Sequence, residues 1–208
     1  MLKRTIDLLA TIPSLVVLGP VMLVIGILVR LDSNGPGLFR QVRVGRNGVP
    51  FKILKFRTMV VGAEASGPKV TGGNDSRITR LGRFLRRTKL DELPQILNVV
   101  AGDMSLVGPR PEVPEYVDMY PDDVRREVLS VRPGMTDIAS IEFRDEASLL
   151  AGAVDHRLVY VEQILPRKLE LQRQYVRTRS LTGDIMLILR TLAKVVRRGP
   201  SPSKQLAV

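Results

Sequence analysis

The run LLATIPSLVVLGPVMLVIGILV, Leu8 to Val29, holds 22 residues without a charge. As a helix it would be about 33 Å long, close to the thickness of a bilayer's hydrocarbon core. Pro20, beside Gly19, removes one helical hydrogen bond in mid-run and crowds the preceding turn, and Pro13 adds a second weak point upstream. Lys3 and Arg4 precede the run, and Arg30, Arg40, Arg43 and Arg46 follow it. Both flanks therefore carry the basic signal of a cytoplasmic side. Two topologies stay open: one bent helix crossing the membrane, or a break at Gly19-Pro20 that leaves two halves of about a dozen residues in one leaflet with both ends cytoplasmic. A secretory signal fits poorly, because Gly26-Ile27-Leu28-Val29-Arg30 offers no small-x-small cleavage site.

The rest of the 208-residue chain suffices for one further domain with a real core. Residues 1–30 are assigned to the anchor, 31–198 to a cytoplasmic domain and the Pro/Ser-rich 199–208 to a disordered tail. A net charge of +11 calls for an anionic partner: phosphate-bearing small molecules, anionic lipid or nucleic acid. Five phenylalanines, four tyrosines and no tryptophan give few platforms for stacking bases, which argues against nucleic acid. The absence of cysteine excludes disulfides, thiol catalysis and cysteine metal sites. A single histidine, His156, makes a Ser-His triad or a multi-histidine metal site implausible.

Gly35-Pro36-Gly37 marks a hinge, and Leu38 to Val44 and Phe51 to Met59 pair as a hairpin around Arg46-Asn47-Gly48. Alternation places Phe51, Ile53, Lys55, Arg57 and Met59 on one face, whose two cations suit either a solvated rim or an anion site. Val61 to Asp75 has the composition of a loop. Arg77 to Lys89 sets Ile78, Leu81, Phe84 and Leu85 against six cations and no acid, a pattern for an amphipathic helix on anionic lipid or packed on a core. A second helix is expected from Asp91, with that carboxylate as N-cap and Gly102 as its end. Arg110 follows between two prolines, in a loop stiff enough to position a ligand. Further helices are expected from Asp122 or Asp123 through Leu129, over Val154 to Arg179 with a kink at Pro166, and over Leu181 to Val196, amphipathic and suited to an interface. The class is α+β, mostly helical, with one small hairpin.

Asp91-Glu92 is the strongest candidate for chemistry. Neighbouring carboxylates suit Mg²⁺, which takes oxygen ligands and bridges them to substrate phosphates. An ionised aspartate can also attack phosphorus. Acidic residues in a first helical turn are equally common as caps, so the dipeptide alone leaves both roles open.

Four blocks together carry a resemblance: Lys3-Arg4-x-x-Asp7, Lys55-Phe56-Arg57-Thr58-Met59, Leu90-Asp91-Glu92-Leu93-Pro94-Gln95, and Gly102 through Val107 continuing as Gly108-Pro109-Arg110-Pro111. In this order they resemble the bacterial sugar transferases, the monotopic phosphoglycosyl transferases, in their minimal catalytic form. The resemblance implies an enzyme that moves sugar 1-phosphate from a UDP-sugar to polyprenyl phosphate with Mg²⁺, releasing UMP, as the first membrane step in assembling exopolysaccharide, O-antigen or similar glycans. It implies a cytoplasmic-face location on the bacterial inner membrane and a re-entrant anchor broken at a proline, here Gly19-Pro20 where relatives have Ser-Pro. Asp91 is then the nucleophile, and Glu92 its partner in metal binding or proton transfer. Lys55, Arg57, Thr58, Arg86 and Arg110 are expected to contact phosphate or nucleotide. After Arg132-Pro133-Gly134 many relatives continue Gly-x-Ala-Gln-Val-Asn-Gly-Arg, whereas this chain has Asp137-Ile138-Ala139-Ser140-Ile141-Glu142-Phe143-Arg144. The alternative is a non-catalytic, basic, membrane-anchored scaffold in which Asp91-Glu92 only caps a helix.

Overall fold

The computed structural model describes residues 2–63, 75–143, 146, 149 and 155–196. The expected tail, the Arg144 end of the divergent segment and most of the loop after Val61 lie outside them.

Helix α1, Leu2–Asp32, is helical at every position through Pro13 and Pro20, and at 31 residues it is about 46 Å long if straight. Its contacts with the body sit at its two ends. Asp7 and Thr11 are buried near one end, Ile25 and Val29 near the other, and no residue from Ile12 to Val24 is buried. Between them Leu9, Val16, Val17 and Leu23 are each at least 67% exposed, an apolar surface with no protein against it. At the first end Lys3 pairs with Asp184, Arg4 donates to the carbonyls of Val99 and Val100, and Asp7 accepts from Ser105 Oγ at 2.8 Å. At the second end Ile25 and Val29 pack on Phe56 and Leu85, burial worth roughly 1.5–3 kcal/mol per side chain.

Strands β1 (Leu38–Val44) and β2 (Pro50–Phe56) form the expected antiparallel hairpin, with Leu38 opposite Phe56 and Val44 opposite Pro50. Its turn uses Asn47 at φ 58° and Gly48 at φ 78°, the left-handed region that Asn and Gly enter most readily. The return strand stops at Phe56, three residues short of the expected Met59, because the chain leaves the ladder to reach α2. Helix α2 spans Arg80–Thr88 and is capped by Thr79, whose Oγ1 accepts from the Gly82 N–H at 2.9 Å. It ends at Lys89, which at φ 60° turns the chain into a 3₁₀ turn, Leu90–Glu92, ahead of α3 (Gln95–Ala101).

The unforeseen element is a parallel pair, β3 (Ser105–Val107) with β4 (Gly134–Thr136). Parallel strands need a long crossover, and here it carries α4 (Pro114–Val117) and α5 (Asp122–Val128). Gly108 and Gly134 sit back to back; a Cβ on Gly134 would lie 2.1 Å from the Gly108 nitrogen, so both positions require glycine. Helix α6 (Ile138–Glu142) follows. Then α7 (His156–Val159) runs through a π-helical turn, Tyr160–Ile164, into α8 (Leu165–Thr178). Pro166 sits in the first turn of α8, where its missing N–H is tolerated, so the expected kink takes the form of that π turn. Helix α9 covers Leu181–Val196 as expected. The largest core joins Tyr116, Val117, Tyr120 and Val124 to Ala139, Phe143, Tyr160 and Leu169. On α9, Leu187 enters a smaller core with Val107 and Tyr175, while Ile185, Met186, Leu189 and Leu192 are exposed.

Candidate active site

Three segments converge on one cavity of about 1380 Å³: the end of β2, the 3₁₀ turn before α3, and the loop after β3. Asn98 on α3 sets the first two against each other. Its Oδ1 accepts from the Leu54 N–H at 2.9 Å and its Nδ2 donates to Lys52 O at 2.9 Å, so a side-chain amide completes the open edge of β2 as another strand would. Lys55, the next inward residue, is thereby held beside Asp91 and Glu92. Asp7 places the third segment, since its carboxylate takes Ser105 Oγ and the Leu106 N–H at 3.3 Å, at the start of the path to Arg110.

The expected cap role of Asp91 is corrected by the geometry. The dyad lies in the 3₁₀ turn, α3 begins only at Gln95, and neither element has a side-chain oxygen accepting a capping hydrogen bond. Pro94 cannot offer an N–H and Leu93 already bonds Leu90 O at 3.2 Å, which leaves no local donor for the Asp91 side chain. Asp91 is 7% exposed, and its Oδ1 is buried without a hydrogen-bond partner among the described residues. Burial raises its pKa and the adjacent Glu92 charge adds to that, against the opposing pull of Lys55, Lys89 and Arg86.

Glu92 has the opposite environment. Arg110 grips it in a two-bond fork, Nη1 to Oε2 at 3.1 Å and Nη2 to Oε1 at 2.5 Å, and Lys55 Nζ lies 3.6 Å from Oε1. Burial alone would raise Glu92, but the Arg110 and Lys55 charges overcome it and hold the carboxyl well below its usual range. The same pairing raises Arg110. Burial pulls Lys55 down to about 8 despite the Glu92 charge. Arg86 is also lowered by burial, and its Nε donates to Thr58 Oγ1 at 2.8 Å.

Of the expected site residues, Lys55, Thr58, Arg86, Asp91, Glu92 and Arg110 therefore line one cavity. Arg57 borders it but points its terminal nitrogens elsewhere. Nη1 donates to Asn34 O at 2.6 Å, and Nη2 to Ser33 O at 2.5 Å and Val29 O at 3.3 Å, so its guanidinium closes the C-terminal end of α1. Strand alternation misplaced it because the ladder ends at Phe56. Gly19 and Pro20 lie within α1, remote from the cavity lining.

A second set of charged residues, which motif reasoning missed, lines the same cavity. Glu112 accepts from Tyr160 Oη at 2.6 Å and Arg43 Nη1 at 3.3 Å, and Lys168 joins it to Glu146. Behind this lining, and not part of it, the buried Asp137 accepts from the Arg110 N–H at 3.1 Å and from Gln172. These groups are scattered over 130 positions, and the only local signal was Glu112, two residues after Arg110.

The arrangement combines a buried carboxylate with an unpartnered oxygen, a second carboxylate locked in ionised form, and several cations facing one cavity. Such a site can bind a multiply charged phosphate ester and attack it at phosphorus. Among the described residues no group of three or more metal-ligating side chains occurs.

The model of the family described as bacterial sugar transferase matches residues 1–198. A UDP-glucose:undecaprenyl-phosphate glucose-1-phosphate transferase of Caulobacter vibrioides is 36% identical over 200 residues, covering 93% of this chain and 69% of its own. The protein of the same description from Escherichia coli is 36% identical over 197 residues, of which the chain spans 40% of that relative's length. The exopolysaccharide production protein PSS of Rhizobium leguminosarum is 37% identical over 206 residues, covering 95% of this chain and 96% of its own.

Proposed function

The chain belongs to the bacterial sugar transferase family, and from that premise we propose that it transfers sugar 1-phosphate from a UDP-sugar to a polyprenyl phosphate through a covalent intermediate on Asp91. The observation that carries the proposal is the contrast within the dyad: Glu92 is saturated by Arg110 and Lys55, while Asp91 keeps a buried oxygen with no partner among the described residues. A carboxylate meant only to cap or to brace would be bonded.

In the first half-reaction an Asp91 oxygen attacks the phosphorus bearing the sugar. The bond from that phosphorus to the bridging oxygen breaks and the oxygen departs with UMP, leaving an acyl phosphate of Asp91 that carries the sugar. In the second, an oxygen of polyprenyl phosphate attacks the same phosphorus and Asp91 departs as carboxylate. Lys55 and Arg86 face the charge that develops on the phosphoryl oxygens, and Arg110 keeps Glu92 ionised and fixed. Asp91 would hold Mg²⁺ as an oxygen ligand, and when bound Mg²⁺ would neutralise diphosphate charge. Glu92 would join only by giving up part of its fork with Arg110.

We further propose that α1 is re-entrant at the cytoplasmic face of the inner membrane. Lys3, Arg4 and Asp7 dock on the same body as Ile25, Val29 and the Arg57 cap, so both ends belong on one side while the exposed middle enters the apolar phase. The helix runs unbroken through Pro20, so the expected break is not seen, and Pro20 with its missing N–H is the point where such a path would bend. Anionic lipid would meet the exposed cations Arg80, Arg83 and Arg87 of α2.

The test is a panel of UDP-sugars, each scored for UMP release with and without polyprenyl phosphate. Release before acceptor is added, together with an increase in intact-protein mass that maps to Asp91, is the expected result. Turnover that never releases UMP until the acceptor is present would replace the covalent route with direct in-line transfer.

A further inference from the structure

Part of the cavity wall is formed by α6 and α8, and two polar atoms there have no partner among the described residues. Gln172, 3% exposed, donates through Nε2 to Asp137 Oδ2 at 3.3 Å and to Arg110 O at 3.5 Å. Both neighbours are acceptors, so the orientation of the amide is settled: the nitrogen faces them and Oε1 faces away. That Oε1 is buried without a hydrogen-bond partner among the described residues, and so is Ser140 Oγ. Ser140 and Gln172 both line the cavity that contains Asp91. A buried, unbonded amide oxygen is costly and persists where something else completes it.

Asp137 ties this pair to the chemistry. It is fully buried, its Oδ1 accepts from the Ser140 N–H at 2.6 Å, and its Oδ2 accepts from both Gln172 and the Arg110 N–H. Arg110 in turn grips Glu92. One bonded chain therefore fixes Gln172 Oε1 and Ser140 Oγ with respect to the dyad.

The chemistry of the two atoms narrows the ligand. An amide oxygen only accepts, so its partner must carry an O–H or N–H. A phosphate dianion offers neither and would meet the Glu112 and Glu146 carboxylates in the same lining. Ala139, Phe143 and Tyr116 supply apolar and aromatic surface beside the polar atoms. Apolar walls with a few fixed hydrogen-bonding atoms suit a neutral polyol with C–H faces. The pyranose is bonded directly to the phosphorus that Asp91 would attack, whereas the uracil is separated from it by the leaving phosphate and ribose.

Resting on the sugar-phosphate transfer argued above, we propose that Gln172 and Ser140 are specificity-determining residues that hydrogen-bond hydroxyls of the donor's sugar.

The experiment uses the full chain in lipid nanodiscs and compares UMP release from UDP-glucose, UDP-galactose and their N-acetylamino counterparts, then from monodeoxy analogues of the preferred donor. Wild type should favour that donor over one deoxy analogue by about 10- to 100-fold in kcat/KM, the range for one hydrogen bond to a buried group. Gln172→Leu should lose this factor on the parent donor and nothing further on the matching deoxy analogue, so the discrimination collapses. Ser140→Ala should do the same toward a different hydroxyl. It removes an oxygen that bonds none of the described residues, so the fold should survive even if Gln172→Leu disturbs Asp137. Equal losses on parent and deoxy donors in both variants would mean that the two residues only brace Arg110, and would overturn the proposal. Equal losses on all sugars with weakened inhibition by UMP would overturn it in favour of uracil recognition. A wild type that releases no UMP from any donor would instead overturn the transfer reaction beneath it, and this assignment with it.

Discussion

Arg110 holds Glu92 by both terminal nitrogens while Asp91, the very next residue back along the chain, keeps a buried oxygen with no partner among the described residues. The two carboxylates thus sit in opposite electrostatic settings within one turn of backbone. Breaking the fork should be expensive. Arg110→Gln leaves Glu92 buried beside Lys55 alone, with an expected stability loss on the order of 3 kcal/mol, and Arg110→Gln with Glu92→Gln should recover most of it. Denaturation of the two variants and the wild type measures this. Because Glu92 titrates well below its usual range, its stabilising contribution is present above the unfolded pKa and is lost as pH falls through the folded value. Wild type should therefore lose more stability in acid than Glu92→Gln does.

Asp91→Asn should separate stability from activity. Burial and the Glu92 charge raise the Asp91 pKa, so its ionised form strains the fold, and stability falls as pH rises through the folded value. The neutral amide removes that strain, so the variant should melt above wild type near neutral pH while forming no adduct with donor. A variant that melts lower, or one that still gains mass at this position, contradicts the assignment.

Lys55 predicts opposite pH trends for rate and stability. Burial brings it from the ordinary lysine value of 10.5 to about 8. As pH rises through about 8 the cation facing the phosphates is lost, and kcat/KM should decline. Over the window from there to 10.5 the unfolded chain binds more protons than the folded one, so stability should rise with pH. Lys55→Arg, which stays charged, should move the alkaline limb of the rate profile upward. An unmoved limb would assign it to another group.

Arg57→Gln should uncouple α1 from the site. It deprives the Val29, Ser33 and Asn34 carbonyls of their donor, at a cost of about 1–3 kcal/mol, and frees the segment that carries Thr58, the acceptor for Arg86. Membrane association should persist, and kcat should fall with KM for the donor little changed. A rise in KM with kcat intact would place Arg57 on substrate instead.

A cysteine at position 2 tests the anchor. With Lys3, Arg4 and Asp7 docked on the catalytic body, an impermeant thiol reagent should fail to label it in intact cells and succeed after lysis. Labelling from outside would exclude the re-entrant topology.

Much of this protein was legible along the chain. Hairpin, turn, α5 and α9 follow from patterns that act within a few residues, such as side-chain alternation, Asn-Gly conformational freedom and helical spacing. The apolar run is equally local, since a helix 31 residues long exposes whatever its sequence contains. The dyad and Arg110 stood out because each sits in a short block of unusual composition.

What the chain could not disclose depends on partners far away in sequence. Arg57 looked like an anion ligand, yet it caps α1 because backbone carbonyls 23 to 28 positions earlier end beside it. β3 and β4 are three residues each, too short to show periodicity, and exist because Gly108 and Gly134 let two backbones touch. The difference between Asp91 and Glu92 is invisible in a dipeptide, for a carboxylate's pKa is set by burial and by charges brought near it. Composition and local pattern determined the hairpin and the longer helices and called for an anionic partner. Only tertiary packing decided which carboxylate is left free to react, because Arg110 and Lys55 reach Glu92 from segments that meet nowhere but in the folded molecule.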